Sequence, residues 1–155
     1  MERPYTRFQR RYIICAAVCV LILLAWAVME WTLRPYLWRR RAEMFEIYPY
    51  MFYTFLVPPM ACITAGVLLP AAASLWRDIR LGAPKLRMCL LVLGLLALIP
   101  QLLVVTAFLN LWPDFMENCH SFRAWVVPLF FVGNELLRYG PLFLSGGFLF
   151  LGLNK

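Results

Sequence analysis

Along this chain, apolar positions gather into four long runs, and charged positions gather into short clusters between them. The runs are residues 13–33 (IICAAVCVLILLAWAVMEWTL), 51–76, 88–112 and 124–153. Each exceeds the roughly 20 residues that a helix needs to cross the hydrocarbon core of a bilayer. Strict alternation of apolar and polar positions is absent, which argues against a membrane β-barrel. Gly and Pro occur inside the runs, as helices in lipid tolerate. The pattern predicts an all-α, polytopic integral membrane protein. Residues 1–155 form a single membrane domain, a bundle of four transmembrane helices, with an interfacial loop of arginines and aromatics at 34–50.

The first run also looks like a secretory signal, since a basic start is followed by an apolar stretch and then Ala25, Trp26 and Ala27. The apolar run continues through Trp31 to Leu33, so this helix is expected to be retained.

Composition strengthens the membrane expectation. Hydrophobic residues make up 63% of the chain and charged residues 15%, with a mean hydropathy of +0.73. Soluble domains run nearer to about half apolar, because their surface must be wetted. The net charge of +7 raises nucleic acid as a partner. The basic residues flank the apolar runs and form no stripe on a soluble face, so membrane orientation accounts for them and no nucleic-acid partner is expected.

Lys and Arg in short loops set that orientation. With the N-terminus inside, the inner side holds Arg3, Arg7, Arg10, Arg11, Arg77, Arg80, Lys85, Arg87 and Lys155. The outer side holds Arg34, Arg39, Arg40, Arg41 and Arg123. Both termini are therefore expected in the cytoplasm, and a compact chain with arginine-rich inner loops suits a bacterial inner membrane.

Candidate chemistry is sparse. In the fourth run, Asn134, Glu135, Arg138, Pro141 and Ser145 fall within about a third of a helix circumference, a polar stripe inside an otherwise apolar segment. Glu135 and Arg138 are three apart and close enough to pair. Gln101, beside Pro100, sits near the middle of the third run, so these residues are placed to meet inside the bundle. A charge at that depth faces protein or water. An ion pair fixing packing or a partner contact is the plain interpretation, because a neighbouring arginine holds a carboxylate ionised rather than poised to carry a proton. The sharper alternatives make Glu135 a proton or counter-ion carrier, or make Arg138 the grip on an anionic substrate or headgroup.

In the second run, Pro58 and Pro59 are expected to kink the helix and free backbone carbonyls. Ala61, Cys62, Ala65 and Gly66 allow another helix to approach closely. The 34–50 loop mixes Arg34, Arg39, Arg40 and Arg41 with Trp38 and several tyrosines, a composition suited to the headgroup level and to anionic lipid or an acidic partner. Glu30 and Arg34 are four apart and expected to pair.

Five cysteines and one histidine do not assemble a metal site in this topology. Cys15 and Cys19 share a helix face on the side opposite His120, and there is no C-x-x-C. Neither G-x-S-x-G, nor a P-loop, nor H-E-x-x-H is present. No cofactor, metal or catalytic residue is assigned, and the chain is not expected to be an enzyme. A lipid-acting enzyme would have to rely on Arg39 to Arg41 for headgroups and on Glu117 or His120 for chemistry. The expected function is protein–protein contact in the membrane, as an accessory subunit, assembly factor or immunity/exclusion-type protein. Its partners are then membrane lipids and a larger membrane protein or a second copy of the chain. The alternative is a small oligomeric transporter or channel using the Glu135/Arg138 pair.

Overall fold

The computed structural model describes residues 7–45, 47–76, 83–108 and 135–154. These residues form four helices: α1 Arg7–Met44, α2 Ile47–Trp76, α3 Pro84–Phe108 and α4 Glu135–Leu153. The described part is all-helical. In α1, α2 and α3, the segments Gln9–Met44, Tyr48–Trp76 and Pro84–Leu103 are long and apolar enough to cross a membrane. Of the expected fourth span, 124–134 lies outside the described residues, and α4 supplies the remainder.

The largest difference from the sequence expectation is at 34–50. Most of that stretch is helix: α1 continues eleven residues beyond Leu33, and α2 begins at Ile47. Arg, Leu, Trp, Ala, Glu and Met dominate residues 34–44, and most of these are good helix formers. Pro35 lies inside the helix, where it removes one hydrogen bond without ending the element. Arg40 stacks over the Tyr36 ring at 5.7 Å, one turn back. Arg41 stacks over Tyr50 at 5.1 Å and so ties the last turn of α1 to the first of α2. A cation in that last turn also suits the negative end of the helix dipole. The chain reverses at Phe45, whose φ of 57° is left-handed, the conformation that most often follows a helix end. The third helix likewise starts earlier than expected, with Pro84 in its first position, where the missing N–H costs nothing.

Packing follows the order α1–α2–α4–α3, each helix lying mainly against its neighbour in that series. One end of the layer is fixed by Tyr12, whose hydroxyl donates to Asn154 Oδ1 at 2.8 Å and whose ring meets Phe150 at 6.2 Å. At the same end, Arg87 Nε of α3 donates to the Gly152 carbonyl of α4 at 3.4 Å. The start of α1 and the end of α4 therefore sit together.

The α2–α4 contact is the tightest. A Cβ added at Gly66 would run into the carbonyl oxygen of Phe143, and one at Gly146 into that of Ile63. In each glycine the second Cα–H points along that direction, so the two backbones meet through reciprocal Cα–H···O contacts. A Cβ at Gly147 would lie 3.4 Å from the Gly66 carbonyl oxygen, and that carbonyl has lost its usual donor because residue 70 is proline. Around this contact Ala61, Ala71, Leu142 and Ser145 are buried. The Ser145 hydroxyl crosses to α3 and donates to the Gly94 carbonyl at 2.8 Å.

Beyond these seams the helices are uncovered. Trp31 is 85% exposed and Trp76 94% exposed, and Ile14, Leu21, Val28, Leu95 and Leu102 are exposed with them. Apolar surface of that extent is suited to lipid or to a covering protein.

Candidate functional site

Two consecutive prolines set the site. In an α-helix the N–H of residue i donates to the carbonyl of residue i−4. Proline has no N–H, so Pro58 leaves the Thr54 carbonyl without its helical donor, and Pro59 does the same to Phe55. Burying a carbonyl in that condition costs about 1–3 kcal/mol. Both are taken up by side chains from neighbouring helices. Arg138 Nη2 of α4 donates to the Thr54 carbonyl at 3.2 Å. Gln101 Nε2 of α3 donates to the Phe55 carbonyl at 2.6 Å.

Two residues of the expected polar cluster thus come together, but on the α2 backbone. Arg138 also lies over the rings of Phe55, at 5.7 Å, and Tyr139, at 5.0 Å. Asn134 and the side chain of Glu135 fall outside the described residues, so the expected Glu135–Arg138 pair does too. Arg39, Arg40, Arg41 and Trp38 lie on the last turns of α1, at the far end of the layer from Tyr12.

A second polar group stands beside the first. Arg34 Nη1 pairs with Glu30 Oε1 one turn earlier on α1. Glu30 Oε2 accepts a hydrogen bond of 2.7 Å from the Tyr53 hydroxyl on α2. Tyr53 is buried and immediately precedes Thr54, so the Glu30 and Arg138 groups stand at one level of α2. Removing the hydroxyl alone tests the bond: Tyr53→Phe is expected to lower stability by about 0.5–1.5 kcal/mol. An unchanged unfolding midpoint in detergent would show that Glu30 does not depend on it.

Between α1, α2 and α4 these groups enclose a cavity of about 560 Å³, whose wall includes Trp26, Glu30, Arg34, Tyr53, Arg138 and Tyr139. Sequence reasoning paired Glu30 with Arg34 but missed Glu30–Tyr53, because those partners are 23 positions apart on different helices.

Cys15, Cys19, Cys62 and Cys89 are free thiols. Among the described residues no group of three or more His, Cys, Asp and Glu is arranged to hold a metal ion. Cys119 and His120 lie outside those residues. No protein-family model, curated protein or solved structure matches this chain. Its class is defined by the fold alone: the described residues are all-helical, and three of their helices are long and apolar enough to span a membrane.

Proposed function

We propose that the chain is an integral multi-pass membrane protein with four spans that acts through protein–protein contacts in the membrane plane, as an accessory subunit, assembly factor or immunity/exclusion-type protein. Both termini face the cytoplasm, and the arginine-rich inner loops suit a bacterial inner membrane. One observation carries the interaction reading. Arg138 and Gln101, the polar side chains best placed for chemistry, are engaged in holding two carbonyls of α2. A layered order of helices leaves broad apolar faces that a larger membrane protein covers.

The runner-up is a small oligomeric transporter or channel in which Glu135 and Arg138 handle an ion. It is favoured by the cavity that has Arg138 in its wall. Native mass spectrometry after gentle detergent extraction from the source membrane separates the two. A larger chain retained at fixed stoichiometry is the expected result. A homo-oligomer that carries flux in liposomes, with the flux lost in Glu135→Gln, would overturn it in favour of transport.

A further inference from the structure

The end of the layer that Tyr12 and Asn154 fasten carries a second cavity. Its volume is about 460 Å³, within the roughly 300–1,000 Å³ of small-ligand sites. The walls are largely apolar: Val67 of α2, Leu149, Phe150 and Leu153 of α4, and Cys15 of α1. Arg11, one turn before Cys15 and exposed, is the charged residue among the described residues of that wall. No hydrogen bond or ion pair holds its guanidinium among the described residues. The Tyr12–Asn154 hydrogen bond and the Tyr12–Phe150 ring contact hold α1 to α4 beside the cavity, so its walls are set without a ligand.

The sign of the charge at this end does not depend on how its arginines are paired. The helix ends gathered there are 7–14, 70–76, 84–90 and 148–154, and none contains Asp or Glu. They bring Arg7, Arg10, Arg11, Lys85 and Arg87. The adjoining segments 1–6 and 77–82 add Arg3, Arg77 and Arg80 against Glu2 and Asp78. Depth follows from helix geometry. Arg11 and Arg34 bracket the apolar stretch of α1, about 34 Å apart along the axis, close to the roughly 30 Å of a hydrocarbon core. Arg11 therefore stands at the level of lipid phosphates, and Cys15, about 6 Å further along the axis, lies just inside the hydrocarbon.

A cation at phosphate depth above an apolar slot is complementary to an amphiphile with an anionic head, and basic pockets between membrane helices hold such lipids. We propose that this cavity binds one anionic phospholipid, its phosphate against Arg11 and one acyl chain lying between α1 and α4 along Leu149 and Phe150. The inference rests on the chain lying in a membrane and needs no protein partner. Its readout is a retained lipid and that of the partner proposal is a retained protein chain, so the two fail independently.

The test uses the full chain purified in a non-ionic detergent and titrated in native mass spectrometry. The ligands are phosphatidylglycerol, phosphatidylcholine with the same acyl chains, and inorganic phosphate as competitor. One phosphatidylglycerol per chain is expected, held at least about tenfold more tightly than phosphatidylcholine, since a charge-assisted contact distinguishes the two heads. Arg11→Gln is expected to bring the two lipids to within about threefold of each other. Arg10→Gln removes the same charge at nearly the same depth from an exposed residue outside the described wall, and is expected to keep the preference. Cys15→Phe fills the slot below Arg11 and is expected to abolish the tight site, with helicity by circular dichroism unchanged.

Equal binding of the two lipids, or equal losses in Arg10→Gln and Arg11→Gln, would overturn the site in favour of a general attraction by the basic end. Tight binding that survives Cys15→Phe would place the lipid elsewhere and overturn the slot. Should Cys15→Phe fail to fold, the comparison of Arg10→Gln with Arg11→Gln decides alone. Displacement by inorganic phosphate at concentrations comparable to the lipid would make the ligand a free anion, and would overturn the lipid assignment. Failure of every lipid to be retained overturns the inference outright.

Discussion

Gly146→Leu is expected to separate α2 from α4, at a cost of about 3 kcal/mol or more, and Gly146→Ala to cost about 1–3 kcal/mol. The reason is where the first added carbon goes. At Gly146 it meets the Ile63 carbonyl, and at Gly66 it meets that of Phe143. Neither obstacle is a side chain able to rotate aside, so the helices must part. In lipid, helix association depends on van der Waals contact and hydrogen bonds, since the surrounding tails are as apolar as the helix faces. Moving α4 off α2 therefore removes much of what holds the pair. It also withdraws Arg138 from the Thr54 carbonyl and moves the wall of the cavity. The internal control is Gly140 on the same helix, where an added Cβ has nothing within 4 Å among the described residues. Gly140→Ala gains helix propensity and is expected to be neutral or stabilising by up to about 1 kcal/mol. Unfolding of the two alanine variants by titration with a denaturing detergent, followed by circular dichroism, measures both. Equal midpoints for Gly146→Ala and Gly140→Ala would show that the α2–α4 contact is not formed in this way.

Much of this architecture is legible in the chain, for a physical reason. A helix of about 20 residues is the shortest unbranched way to satisfy a backbone away from water, so long apolar runs between charge clusters announce helices almost by themselves. The three described helices that are long and apolar enough to span overlap the expected segments closely. The ends are less legible. Residues 34–44 carry the composition of an interfacial loop, but they also carry strong helix formers and an i, i+4 stack of Arg40 on Tyr36, and the local propensity prevails. The site divides along the same line. Contacts between residues three or four apart follow from helix geometry, and the Glu30–Arg34 pair is one. The prolines state which carbonyls lose a donor, because the i−4 rule is local. What the sequence does not state is which distant side chain replaces it. Arg138 is 84 positions from Thr54, and Gln101 is 46 from Phe55. Those pairings depend on the order in which the helices stack, and with α4 between α2 and α3 that order departs from the order in the chain.

If the proline-freed carbonyls are what hold Arg138 and Gln101 in place, restoring the backbone donors should make those side chains dispensable. Arg138→Met removes the donor and keeps most of the apolar length. It leaves the Thr54 carbonyl without the Nη2 hydrogen bond, at an expected cost of about 1–3 kcal/mol. Pro58→Ala supplies an N–H at the position from which a helix normally satisfies residue 54. In that background Arg138→Met is expected to cost under about 1 kcal/mol, a coupling within the roughly 0.5–3 kcal/mol seen for residues sharing a network. Gln101→Leu should pair with Pro59→Ala in the same manner, through Phe55. Mismatched combinations, Arg138→Met with Pro59→Ala and Gln101→Leu with Pro58→Ala, should show a smaller coupling, since each proline frees a different carbonyl. Four unfolding midpoints per cycle decide the matter. A matched coupling makes the arginine part of the scaffold of α2. Its absence, with Arg138→Met equally costly in both backgrounds, would mean that the guanidinium is held for something other than Thr54. That result would shift weight from the scaffold towards the cavity that Arg138 lines and whatever anion or partner group occupies it.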